Sequence, residues 1–238
     1  MKSILTFITA MLAAVLLIPA ASAQSTSNPK TQVRVTLDKL SLYMRQSPNV
    51  PTQDDPRSLP KPKRWADFEV PFKVEASPMP KSGYIDSLTF KFYIAVVNPE
   101  LARQYLKLYK EIKYVNVPVG DSPYASVYLS PSSVKRITGS EGGRGKWVKY
   151  EGVVVEYNGK VVATYSSERG KMEKWWTIQS PSIVETTYYP LLNKDETHFS
   201  VYWYDRYPEI MKPNLHQGGS APEPSGFGTP TPPETDDL

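Results

Sequence analysis

Few side chains in this 238-residue sequence have the type and spacing to do chemistry. There are two histidines, three close carboxylate pairs and a late cluster of aromatic rings. A metal site or a Ser–His pair would have to use His198, because His216 falls in a Pro- and Gly-rich stretch. The pairs Asp54-Asp55, Glu168-Glu173 and Asp195-Glu196 have the composition for glycoside hydrolysis. Each lies in a polar, turn-like context where a carboxylate is solvated, so no catalytic residue is expected. Gly142-Gly143-Arg144-Gly145 lacks the Lys-Ser/Thr of a phosphate loop. Asn193-Lys194-Asp195-Glu196 offers oxygens without the spacing of a calcium loop. Neither a metal nor a cofactor is expected.

The aromatics stand out: 16 Tyr, 5 Trp and 7 Phe, gathered late at Trp175-Trp176, Tyr188-Tyr189 and 202–207 (YWYDRY). Adjacent residues of a strand point to opposite faces. If these stretches are strands, Trp175 and Trp176 cannot both enter one core, nor can Tyr202 and Trp203. Some rings must then lie on a surface or beneath a covering segment. Exposed rings stack on sugars or anchor protein interfaces. Trp175, Trp176, Tyr202 and Tyr204 are the interaction candidates.

The elements that would position them have a period of two. Alternation runs through 33–38, 68–75 and 88–94, giving strands with one buried and one wet face. Pro71 inside the second run predicts an edge or a bulge. Runs at 147–157 and 160–166 flank Asn158-Gly159, the pair that closes tight hairpins because both turn residues take positive φ. Further strands are expected at 112–117, 124–129, 175–178, 182–188 and 198–204. Helical signals are few. Pro99 opens a two-turn candidate over 99–106. Ser130, Pro131 and Gly139 mark the cap, first turn and end of a short helix. Residues 46–64 hold five prolines and read as a long loop. The expected fold is mainly β, an antiparallel immunoglobulin-like sandwich with one or two short helices and long Pro/Gly-rich loops.

A basic Met1-Lys2-Ser3, an apolar run from Ile4 to Ile18 and the box Ala21-Ser22-Ala23 read as a signal peptide over 1–23. The run is short of the roughly 20 residues of a bilayer span, so no membrane span is expected after cleavage. Residues 24–30 are a polar linker, 31–212 the sandwich domain, and 213–238 a disordered Pro/Gly-rich acidic tail. The chain has no cysteine, which excludes thiolate catalysis and Cys-type zinc sites and fits a bacterial exported protein folded by core packing alone. Net charge is +4, and the tail carries four carboxylates with no Lys or Arg, so the body is more basic still. Its cations are scattered rather than clustered, which argues against nucleic-acid binding.

The apolar leader, the Cys-free β-rich body, the hairpin KYEGVVVEYNGKVVATYSS, the strand VYWYDRYPEIM and the Pro-rich tail together define a layout. Over 31–212 that layout resembles a family of pilus-associated, immunoglobulin-like exported proteins of Verrucomicrobia of the Akkermansia type. The resemblance implies a non-enzymatic envelope or surface protein, in the periplasm, at the outer membrane or on the cell surface, with an envelope or pilus protein as partner. Its short apolar run departs from the long N-terminal helix of a true type IV pilin. The alternative is a carbohydrate-binding module that uses the same rings as a platform for a glycan.

Overall fold

A computed structural model describes residues 31–48, 61–202 and 204–212. The expected signal peptide, linker and tail, His216, Trp203 and most of the Pro-rich loop lie outside them.

The chain order is β1 (Gln32–Leu37), β2 (Ser41–Gln46), β3 (Arg64–Ser77), β4 (Tyr84–Val97), β5 (Tyr105–Pro118), β6 (Tyr124–Leu129) and helix α1 (Pro131–Thr138). It continues with β7 (Val148–Tyr157), β8 (Lys160–Ser166), β9 (Ile183–Glu185), β10 (Leu191–Leu192) and β11 (Glu209–Ile210). One sheet has the order β1-β3-β6-β10, with β2 beside the first half of β3. The other has the order β11-β5-β4-β7-β8, with β9 beside the start of β5. All pairings are antiparallel except β5–β9.

The two sheets face each other across the alternating apolar positions read from the sequence. Phe68, Val70, Phe72 and Val74 of β3 meet Leu88, Phe90, Phe92 and Ile94 of β4, all buried. The Phe72 and Phe90 rings join the layers at 4.8 Å, and Tyr114 of β5 meets Phe90 edge-on at 5.3 Å. Such aromatic pairs add about 0.5–1.5 kcal/mol beyond their buried area.

Pro71 is neither at an edge nor in a bulge. It lies inside β3, which has neighbours on both sides. Its carbonyl accepts from Asp38 N at 3.0 Å, so the side without a donor faces the 38–40 connection. There β2 pairing stops at Glu69 and β1 pairing starts at Phe72. The missing N–H falls at a seam where no ladder partner requires it.

The expected helix over 99–106 does not form. Asn98 Oδ1 accepts from Glu100 N at 2.9 Å, and Asn98 Nδ2 donates to Gln104 Oε1 at 2.7 Å, closing a hairpin loop between β4 and β5. Arg103 turns through the left-handed region at φ 66°. The long β4–β5 pairing outweighs the weak helical start at Pro99. The strands expected at 175–178 and 198–204 are 3-10 turns and bends instead, and 182–188 contributes only β9.

Candidate interaction surface

Trp175 and Trp176 lie in a 3-10 turn, Trp175–Thr177, laid across the outer face of β4, β5 and β7. A turn lets neighbouring side chains point the same way, so the period-two argument for an exposed ring does not apply. Trp175 is 0% exposed and Trp176 7% exposed. The exposed platform expected from these two residues is therefore not formed by them. They make a second hydrophobic layer with Ala95, Tyr93, Tyr105, Tyr150 and Val154. Trp175 packs on Tyr150 at 5.5 Å, and its indole N–H donates to the Glu151 carbonyl at 3.4 Å. Lys107 Nζ donates to the Trp176 carbonyl at 3.3 Å, fixing the turn to β5.

The stack does not stop at the tryptophans. Trp176 lies flat on Tyr93 of β4, 5.2 Å between centroids and 10° between planes. Tyr93 meets Tyr109 of β5 at 5.1 Å and 36°. Register explains the meeting, since Tyr93 and Tyr109 are directly paired across the β4–β5 ladder. Exposure grows along this line. Trp176 is buried, Tyr93 is half-buried and Tyr109 is 41% exposed. Two ion pairs flank the rings: Lys91 Nζ to Glu156 Oε1 at 2.7 Å, and Lys107 Nζ to Glu185 Oε2 at 3.0 Å. The Tyr109 hydroxyl donates to Glu111 Oε2 at 2.9 Å. Burial, and then this bond to a carboxylate, hold the Tyr109 phenol above its usual range; burial raises Tyr93 as well. Both present neutral rings with a hydroxyl at the tip. Tyr93 appears in the sequence as the outward residue of the 88–94 alternation. Tyr109 falls before the expected 112–117 strand, and only the β4–β5 pairing brings it to Tyr93.

Tyr202 and Tyr204 belong to the opposite side of the sandwich. Tyr202 is half-buried, its N–H bonded to the Phe199 carbonyl at 2.9 Å. Tyr204 opens the 3-10 turn Tyr204–Arg206, and its side chain is outside the described set. Both sit on segment 193–212, whose described residues cross the outer face of β3 and β6. Phe199 stacks on Tyr128 at 5.2 Å and meets Trp65 edge-on at 5.9 Å. Arg206 Nη2 reaches Glu69 Oε1 at 2.6 Å, and the Tyr207 hydroxyl donates to Glu69 Oε2 at 2.6 Å. Arg45 bonds Asp67 and, at 3.4 Å, Glu69. Burial pushes the Asp67 carboxyl up to about 7 against the pull of Arg45. Burial also raises Tyr128 to about 12 and lowers the Lys194 ammonium, which donates to the Ser200 carbonyl at 2.8 Å. The four sequence-derived candidates are thus split between two opposed faces.

The other chemical candidates have structural positions. His198 meets Trp65 edge-on at 6.0 Å. Glu196 closes a capping box with Asn193 and accepts from Lys110 at 2.7 Å. Asp54-Asp55 lies outside the described residues. A cleft of about 1270 Å³ opens between the start of β4, the end of β5 and segment 193–212, rimmed by Asp86, Asp121, Asp195, Asp205 and Glu209. Among the described residues no group of three or more His, Cys, Asp or Glu side chains could hold a metal ion. No helix among them is long and apolar enough to cross a membrane.

Comparison with known proteins adds the lineage. No curated protein matches the sequence. A crystal structure of a protein from Akkermansia muciniphila is similar at 87% identity, covering 79% of this chain and 98% of that chain, with a TM-score of 0.77. A family model matches residues 26–214, which takes in both sheets and the segment that crosses β3. The chain therefore belongs to that protein family, an Akkermansia-type family of β-sandwich proteins.

Proposed function

We propose that this protein is a non-enzymatic, exported envelope or surface component, pilus-associated, that works by binding another envelope protein. The single observation that carries the reading is the Trp176–Tyr93–Tyr109 stack. It is a rigid aromatic ladder, buried at one end and open at the other, set on the longest pairing of the fold. Aromatic rings held by a scaffold and ringed by polar groups are the usual anchors of protein interfaces. The basic start, apolar run and cleavage box support export. The assignment of His198 and Glu196 to packing and capping supports a binding rather than a catalytic role.

A second reading has its own observation in its favour. Tyr109, 41% exposed, with Glu111, Lys91 and Glu156 at the rim, can also stack on a pyranose ring while the polar groups hold its hydroxyls. Capture from native envelope extract by the wild type and by Tyr109→Ala, beside a glycan panel, separates the two. An identified pilus or envelope component, lost with Tyr109→Ala while the panel stays silent, supports the first reading. A glycan signal lost with the same variant replaces it with the second.

A further inference from the structure

We propose that segment 193–212 is a proton-gated strap: it closes over Asp67 and Glu69 with uptake of one proton and loosens when that proton leaves. The segment is attached by few regular bonds. It contains 3-10 turns and the two-residue strand β11. It is anchored to β5 by β11 and by Lys110 on Glu196, and between those anchors its grip on the other sheet comes from side chains that meet one strip of β3.

That strip carries two acids on one face. Asp67 is 0% exposed and Glu69 2% exposed. Glu69 is fully engaged by Arg206 and Tyr207 from the strap and by Arg45 from β2. Asp67 is not. Arg45 bonds its Oδ2, while among the described residues its Oδ1 has no hydrogen-bond partner. A buried carboxylate oxygen without a partner is costly when charged and cheap when the group carries a proton.

The strap packs over the strip that holds both acids. Phe199 rests on Trp65, two residues before Asp67 on β3, and on Tyr128, the cross-strand partner of Asp67. It therefore roofs the carboxyl. Lifting the roof returns Asp67 to water, where a carboxylate needs no proton. Closing takes the proton up, so closure is favoured as pH falls. The groups that face this centre are Tyr43 and Arg45 from β2, Ser126 and Tyr128 from β6, and Lys194, His198, Arg206 and Tyr207 from the strap. Of these, His198 is the imidazole, and it touches Trp65 rather than either acid.

The raised proton affinity of the closed state fixes the sign. The contribution of Asp67 to the hold is complete below the ordinary carboxylate range and is lost as pH rises toward about 7. Hydrogen exchange of the purified full chain, corrected for the intrinsic rate at each pH, reads this directly. Opening of strap amides should rise by up to about tenfold per pH unit between pH 5 and 7 and level off above. Protection of β4 should not change. Asp67→Asn should flatten the dependence, and His198→Gln should keep it. Equal strap protection at pH 5 and 7 overturns the proposal. So does an unchanged slope in Asp67→Asn, or a slope lost in His198→Gln. If Asp67→Asn loses β4 protection, Phe199→Ala serves instead. With the roof gone, strap opening should be faster at pH 5 and nearly independent of pH, and a full slope in that variant overturns the proposal.

Discussion

Gly152 of β7 lies directly beneath the indole of Trp176. A Cβ at residue 152 would come within 2.5 Å of Trp176 Cε3, closer than real Cβ contacts allow. The missing side chain on one strand and the flat ring on the covering turn are a single fit. That fit seats Trp176 on Tyr93 and so aims the stack at Tyr109.

Gly152→Ala should therefore destabilise the protein although alanine suits a strand better than glycine. Overpacking of this kind costs about 1–3 kcal/mol. Chemical denaturation of the variant should show the loss. Near-ultraviolet circular dichroism should change with it, because the Trp176–Tyr93 pair must separate. A variant as stable as the wild type would mean that the turn carrying Trp176 gives way freely.

Trp176→Ala removes a buried ring and half of a stacked pair. Truncating a buried aromatic residue costs about 3–5 kcal/mol, and a covering turn that can settle keeps the cost near the lower end. The loss should appear as a lower unfolding midpoint. It should exceed that of Tyr109→Ala, whose ring is partly in water already.

Local signals were legible where a few neighbouring residues settle the backbone. Ser130 caps α1 by accepting from Ser133 N at 3.2 Å, Pro131 begins it, and Gly139 ends it at φ 70°. Asn158 and Gly159 turn the β7–β8 hairpin at φ 50° and 73°. The alternation of β3 and β4 gave the core face directly. The short strands β10 and β11 were not legible, because two residues carry no period. The site was legible as a residue class and not as a place. Trp175 and Trp176 were expected to leave a ring exposed, and their burial depends on Gly152 and Tyr93, which no local pattern links to them. Glu69 is likewise joined to Arg206 across 137 positions of chain, a pairing that only the folded strap shows.

Stability should depend on pH through Asp67. Its proton affinity is higher in the folded state, so the folded protein binds more protons than the unfolded one between the ordinary carboxylate value and about 7. Stability then falls as pH rises through that window, by about 1.4 kcal/mol per unit at most. Urea midpoints at pH 5 and pH 7 should differ in that sense, with the lower midpoint at pH 7. Asp67→Asn should remove most of the difference.

Breaking the grip on Glu69 should cost more than breaking a surface ion pair. Arg206→Ala leaves a buried carboxylate with Tyr207 and the longer Arg45 contact. The loss should be about 2 kcal/mol and should exceed that from breaking the exposed Lys135–Glu141 pair, which water screens. Thermal unfolding of the two variants side by side checks the ranking.

The proposal that the stack is a binding surface is tested most directly by Tyr109→Ala. Tyr109 lies at the open end of the ladder, and its removal should leave the unfolding midpoint nearly unchanged. Affinity for the captured envelope partner should fall by about 30-fold or more, the size of an interface anchor. A variant that keeps its fold and loses the partner is the expected result. A variant that keeps both its fold and full affinity contradicts the Tyr93–Tyr109 surface as the site of binding.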